Sequence, residues 1–283
     1  MRLQVRKTYK LFIGGQFPRT ESARHYAIRS PKGDKLLANA CKGSRKDIRN
    51  AVVAARKAFA DWSSRTTLNR GQILYRLAEG LESRSAELAE ELMAMGLTDK
   101  QARAEVEACV DTCVYYAGWA DKVHMVLGTV NPVAGPFFNF SFPEATGVVG
   151  VVAPETPALQ GLLARVLPAI VCGNTVVVIP SETRPLAAIT LGEILATSDV
   201  PAGVVNIISG IKSEITPGLA AHMDVNAIDI TGVDDEARVA LAQAASQNVK
   251  RVIIKDEAAA LELSLWSIAD FLETKTVWHP MGV

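Results

Sequence analysis

The stretch Thr146-Gly-Val-Val-Gly-Val-Val-Ala-Pro154 runs without a single charged residue. A half-buried strand alternates apolar and polar positions, so an unbroken apolar run of this length reads as a strand covered on both faces. Downstream, the rhythm alternates. The periodicity predicts a helix over 159–171, a strand over 175–179, a helix over 186–196 and a strand over 204–208. A helix over 217–221, a strand over 227–230, a helix over 234–247 and a strand over 251–254 complete the series. Parallel neighbours joined by right-handed crossovers follow from such alternation, which makes a doubly wound α/β sheet.

Upstream of that stretch lie short strands and helices. Lys10-Leu-Phe-Ile-Gly-Gly-Gln-Phe17 reads as a hairpin turning at Gly14-Gly15, and Ser30-Pro-Lys-Gly-Asp34 as a turn before a strand over 35–40. Ser44 is suited to cap a helix, with Asp47 at its third position and Ile48, Val52, Ala55 and Phe59 at helical spacing as far as Trp62. One longer helix is expected over 67–92, ended by Gly96, and another from Asp99 or Lys100 to Val126. Beyond Lys255 one short helical segment is expected, then an exposed edge strand over 274–278.

With 283 residues the chain can bury a large core, as one large domain or two small ones. Thirty basic residues balance thirty acidic ones, and aromatics make up 6%. That removes the electrostatic and stacking grounds for expecting nucleic acid or an acidic membrane as partner. Cys41, Cys109, Cys113 and Cys172 are too few for a disulfide scaffold; Cys109 and Cys113 read as core thiols. His25, His124, His222 and His279 show no ligand spacing, so no metal site is expected. Met1–Lys7 carries no apolar signal region and no run is long enough to span a bilayer, which places the protein in the cytoplasm.

These blocks together resemble the aldehyde dehydrogenase superfamily over nearly the whole chain. Phe12-Ile-Gly-Gly15 and Ser30-Pro-Lys-Gly33 resemble its opening hairpin, and Gly147-Val-Val-Gly-Val-Val-Ala-Pro154 its first sheet strand. Leu167-Pro-Ala-Ile-Val-Cys-Gly-Asn-Thr175, Pro180-Ser-Glu-Thr-Arg-Pro185 and Val200-Pro-Ala-Gly-Val-Val-Asn-Ile207 are similarly placed, and Glu273-Thr-Lys-Thr-Val-Trp278 is similar to the family's oligomerisation strand. The resemblance implies a Rossmann-like sheet with amino-terminal helices and a small β oligomerisation arm. Residues 1–129 and 144–258 would form the cofactor-domain-like unit, and 130–143 with 259–283 the arm and carboxyl-terminal strand. Only about fifteen residues join the last sheet strand to the tail, against the ~100 that a separate catalytic domain would need. The chain is therefore expected to lack that domain, resembling the second module of the tandem two-module (family 16-like) members.

The family's chemistry needs a thiolate, an oxyanion donor, a general base and a bound nicotinamide. No cysteine falls at the nucleophile's place. Thr156 stands where the family has its oxyanion-holding asparagine, and Lys255 where it has its basic glutamate, so both catalytic positions are degenerate. Asp256 and Glu257, beside Lys255, read as a solvated turn. The cofactor positions implied are Pro154, Glu155, Ser181, Glu182, Gly210, Gly232 and Val233. Among them Glu182 keeps a carboxylate for a ribose hydroxyl, whereas Ile179 replaces a lysine, and Lys212 and Thr216 replace glycines. Val233 lacks the hydroxyl that would hold a pyrophosphate, and Asp234, Asp235 and Glu236 load the following helix start with negative charge. The expected function is a catalytically silent subunit that works by assembly, with a second copy or with a full-length aldehyde dehydrogenase. No cofactor is expected; the alternative is an NAD- or NADP-binding subunit whose nucleophilic cysteine comes in trans.

Overall fold

The computed structural model describes residues 7–282. The opening segment 1–6, on which the absence of a signal region was read, and Val283 lie outside the described residues, as do the side chains of Glu257 and Ala258.

The chain opens on a tight turn at Gly14-Gly15, both at positive φ, closed by an Ile13–Gln16 bridge. The expected hairpin continues to the Leu11 N–H, which donates to Pro18 O at 3.2 Å, while Phe12, whose own N–H and C=O point outward, pairs with Ile207 of the main sheet. β1 (His25–Arg29) and β2 (Leu36–Cys41) pair antiparallel. α1 (Arg45–Ser64) starts at a capping box in which Ser44 and Asp47 satisfy each other's backbone N–H.

The single helix expected over 67–92 is two: α2 (Thr67–Ser83) and α3 (Ser85–Ala94). Arg84 leaves helical geometry between them while its guanidinium bridges Glu87 and Glu193. The next helix divides as well, into α4 (Asp99–Trp119) and α5 (Val123–Leu127), the latter leading to β3 (Thr129–Asn131) and β4 (Phe137–Ala145).

The doubly wound half follows the expected order: β5 (Val148–Val152), α6 (Ala158–Val171), β6 (Thr175–Ile179), α7 (Leu186–Thr197), β7 (Val205–Ile207), α8 (Lys212–Ala220), β8 (Ala227–Asp229), α9 (Asp235–Ser246) and β9 (Arg251–Ile253). α8 begins at Lys212 and carries Pro217 inside it, earlier than the proline suggests. Residues 254–271 hold α10 (Glu257–Leu261) and α11 (Leu265–Ala269), two short helices where one was expected. β10 (Leu272–Pro280) is two residues longer at each end than its sequence pattern.

Strand order in the main sheet is β7-β6-β5-β8-β9, all parallel. Every residue of β5 and β6 is buried. Alternation sorts them onto two cores: Val149, Val151, Val176 and Val178 join α2, α4, α6 and α7 on one face, while Val148, Val152, Val177 and Ile179 join α1, α8 and α9 on the other. β10, β4 and β3 form a separate antiparallel sheet with β10 along one edge. Among the described residues no helix is long and apolar enough to cross a membrane.

Candidate functional site

Ligands of open α/β sheets settle beyond the carboxyl ends of the strands, where the strand order reverses. Here the reversal falls between β5 and β8. The loop after β5 (Pro154, Glu155, Thr156, Pro157) and the loop after β8 (Thr231, Gly232, Val233) face each other there across a cleft of about 520 Å³. Asp235, Arg238, Lys255, Asp256, Ala260 and Leu261 complete its walls, so α10 forms one side of it.

The polar groups of this mouth satisfy one another. Glu155 accepts from Ser181 Oγ at 2.7 Å, Thr183 Oγ1 at 2.9 Å, and the N–H groups of Glu182 and Thr183 at 3.1 and 3.2 Å. It also pairs with Lys212. Burial would raise its pKa, but the Lys212 charge and these donors outweigh burial and bring the carboxyl down to about 2. Lys212 Nζ donates further to Ala153 O at 2.6 Å and Gly232 O at 3.2 Å. Glu182, expected to face a ribose, accepts instead from the Lys212 N–H at 2.7 Å. In this bond the carboxylate caps α8, taking one of the free donors at its start.

The remaining predicted positions have structural partners too. Ser181 is fully buried and, besides donating to Glu155, accepts from the Arg184 N–H at 3.0 Å. Gly232 brings the β8 loop onto β5: a Cβ there would stand 2.0 Å from Ala153 O, and its N–H donates to Val152 O at 2.9 Å. Gly210 lies against Gly43 and Ile215. Pro154 packs over Gly161 of α6. Val233 packs on the core beneath α1, α8 and α9, Asp234 caps α9 by accepting from the Ala237 N–H at 2.9 Å, and Asp235 pairs with Arg238.

Of the two positions that the resemblance marks as catalytic, Thr156 is exposed and its Oγ1 accepts from Arg184 at 3.3 Å. Lys255 pairs with Asp270 at 2.8 Å, and its N–H donates to Thr231 Oγ1 at 3.1 Å. Asp256 caps α10. All four cysteines are free and buried. Burial pushes the Cys113 and Cys109 thiols far up and the Cys172 thiol up to about 12, so none of these three is a thiolate at neutral pH. Cys172 lies at the end of α6, before β6 begins, and so at the opposite end of the sheet from the cleft.

Two ion pairs are not visible in the sequence. Arg165, among the leucines and valines of α6, is fully buried and donates to the equally buried Asp229 of β8 at 2.5 Å. Lys212, by its place in the sequence an obstacle to close backbone approach, is the partner of Glu155. A lone cation among Leu and Val, or a lone carboxylate at the end of an apolar strand, is the signal that such a pair exists, because burial demands a countercharge.

A dinucleotide does not fit these residues. Its pyrophosphate would meet a carboxylate pinned by four donors, two carbonyls already bonded to an ammonium, and a helix start carrying three carboxylates. Among the described residues no group of three or more His, Cys, Asp or Glu stands placed to hold a metal ion.

The model of the aldehyde dehydrogenase family matches residues 17–259. Aldehyde dehydrogenase 1A1 of Gallus gallus is 33% identical over 89% of this chain and 50% of its own length. Omega-crystallin of Enteroctopus dofleini is 32% identical over 87% of the chain and 50% of its own. Among solved structures, PnpE from Pseudomonas sp. WBC-3 aligns with TM-score 0.83 at 30% identity, over 88% of this chain and 51% of that one. The NAD+ complex of an aldehyde dehydrogenase from Bacillus cereus aligns at 0.82 with 28% identity, over 87% and 50%. The chain thus spans about half the length of the relatives it matches, and it belongs to the aldehyde dehydrogenase family.

Proposed function

We propose that this protein is a catalytically silent member of its family that acts through assembly. One observation carries the reading: the mouth of the β5–β8 crevice is satisfied from within by Glu155, Lys212 and Glu182, and the α9 start beside it carries three carboxylates, so a diphosphate would meet mainly acceptors there. The buried cysteines support it, since no thiol stands at the crevice to attack a carbonyl. The three-stranded sheet supports the assembly part. It exposes Val130, Phe138 and Trp278, and β10 presents a nine-residue edge that invites another strand or surface. The partner is a second copy of the chain or a full-length aldehyde dehydrogenase.

The test has two parts. Purified protein mixed with simple aldehydes and NAD or NADP is expected to yield no reduced nicotinamide. Material isolated from its native cell is expected to show, by native mass measurement, a fixed stoichiometry above one. Reduced nicotinamide from the purified chain would refute silence; a uniform monomer would refute assembly.

The second reading is an NAD(P)-binding subunit served by a cysteine in trans. The 520 Å³ cleft at Gly232 and Val233 favours it. A saturating cofactor at 100 times its dissociation constant would stabilise the fold by ~2.7 kcal/mol, so thermal denaturation with and without millimolar NAD separates the two readings.

A further inference from the structure

Lys212 is the first residue of α8, yet its side chain is only 14% exposed. It runs back across the carboxyl edge of the sheet to the place where the strand order reverses. There its Nζ meets Ala153 O on the β5 side, Gly232 O on the β8 side, and the Glu155 carboxylate between them. Three acceptors match the three protons of an ammonium. Both ends of the arrangement are anchored: Glu182 holds the Lys212 backbone N–H, and Ser181, Glu182 and Thr183 hold Glu155.

We propose that the polarity of this crevice is inverted: it is a seat for a primary ammonium, and Lys212 is its built-in occupant. The inference rests on the reading that no dinucleotide binds here, and extends it from a poor fit to a different specificity. A diphosphate is an acceptor-only anion and recognises free N–H groups. Two carbonyls and a fixed carboxylate are acceptors, so the same positions that attract a cation repel a phosphate. The compact ammonium suits such a cluster better than a planar guanidinium, whose fork is made for two parallel acceptors.

Chemical rescue tests this. Lys212→Ala removes everything beyond Cβ, and n-propylammonium restores the missing atoms. The variant is expected to lose about tenfold in its folding equilibrium. Millimolar n-propylammonium should then raise its melting temperature saturably, while leaving the native protein and the double variant K212A/E155Q unmoved. NAD should bind none of the three.

Absence of rescue in a folded K212A protein would overturn the proposal, as would tighter binding of NAD to K212A than to the native chain. Should K212A not fold, reductive methylation of the native protein decides. Lys212 is then expected to react among the slowest of its lysines, and a rate equal to that of the exposed Lys46 or Lys275 would overturn the proposal. Aldehyde oxidation by the native chain would refute the silent-subunit reading without touching the amine rescue, so the two fail separately.

Discussion

The crevice and the three-stranded arm treat their polar and apolar groups in opposite ways. At the crevice three charged side chains are taken up by partners within the chain: Glu155 by Lys212, Glu182 by the start of α8, Lys255 by Asp270. At the arm the interior business is done by β10–β4 pairing over nine residues, and aromatic surface is left over in Phe138 and Trp278. A crevice that satisfies itself has little left with which to recognise a ligand. An arm that leaves apolar surface uncovered gains by meeting another surface. The proposed assembly therefore places recognition at the arm.

The comparison can be broken first at its foundation, the Arg165–Asp229 pair that ties α6 to β8 beneath the crevice. Arg165→Ala leaves Asp229 buried without a countercharge, and urea denaturation should show a loss of about 3–5 kcal/mol. The paired replacement R165M/D229N should recover most of that loss, because no lone charge remains. Equal losses in both variants would mean that the pair does not hold the floor of the crevice.

Gly232→Ala is next. Its Cβ would collide with Ala153 O and Val152 O, both backbone atoms, so the β5 and β8 loops must part. Thermal or urea unfolding should show about 1–3 kcal/mol of destabilisation from overpacking. A neutral result would show that the lips are not in close contact.

The third prediction is a pH dependence. Glu155 titrates near 2 in the fold, against an ordinary 4.5. A lowered folded value means that its stabilisation is fully present above about 4.5 and is lost as pH falls toward about 2. Because the side chain is 41% exposed, solvent screening reduces the contribution to about 1 kcal/mol. Glu155→Gln should therefore cost about that much at neutral pH, and the native and variant curves should converge near the acid limit. Parallel curves down to that limit would remove the ion pair from the account.

The smallest stability effect is expected at the arm. Trp278 is 59% exposed and meets Phe137 edge-on at 5.8 Å. Trp278→Ser should change the stability of the chain by no more than ~0.5 kcal/mol, yet shift its mass in sedimentation toward the monomer. A monomeric native protein, or a variant with unchanged mass, would erase the contrast between arm and crevice.

Some elements were legible for local reasons. Ser44 and Asp47 announce the start of α1 because a capping box is closed within four residues. The valines of β5 and β6 announce buried strands because no charge interrupts them. Asp234 announces α9 in the same way as Ser44 does α1. Where the cause was remote, the reading failed. α8 starts at Lys212 because its cap, Glu182, arrives from the loop after β6. The break at Arg84 has neither proline nor glycine to announce it; its guanidinium is drawn to Glu193 on α7. The hairpin at Gly14-Gly15 was legible, but that the outward N–H and C=O of Phe12 join it to Ile207 of the main sheet was not.

The same division separates the family from the site. Apolar periodicity and turn chemistry are short-range properties of the chain, and they were enough to give the doubly wound order of strands and helices. What fills the crevice was decided only by folding. An ammonium and its three acceptors come from segments far apart in sequence, and a buried charge chooses its partner by distance in space.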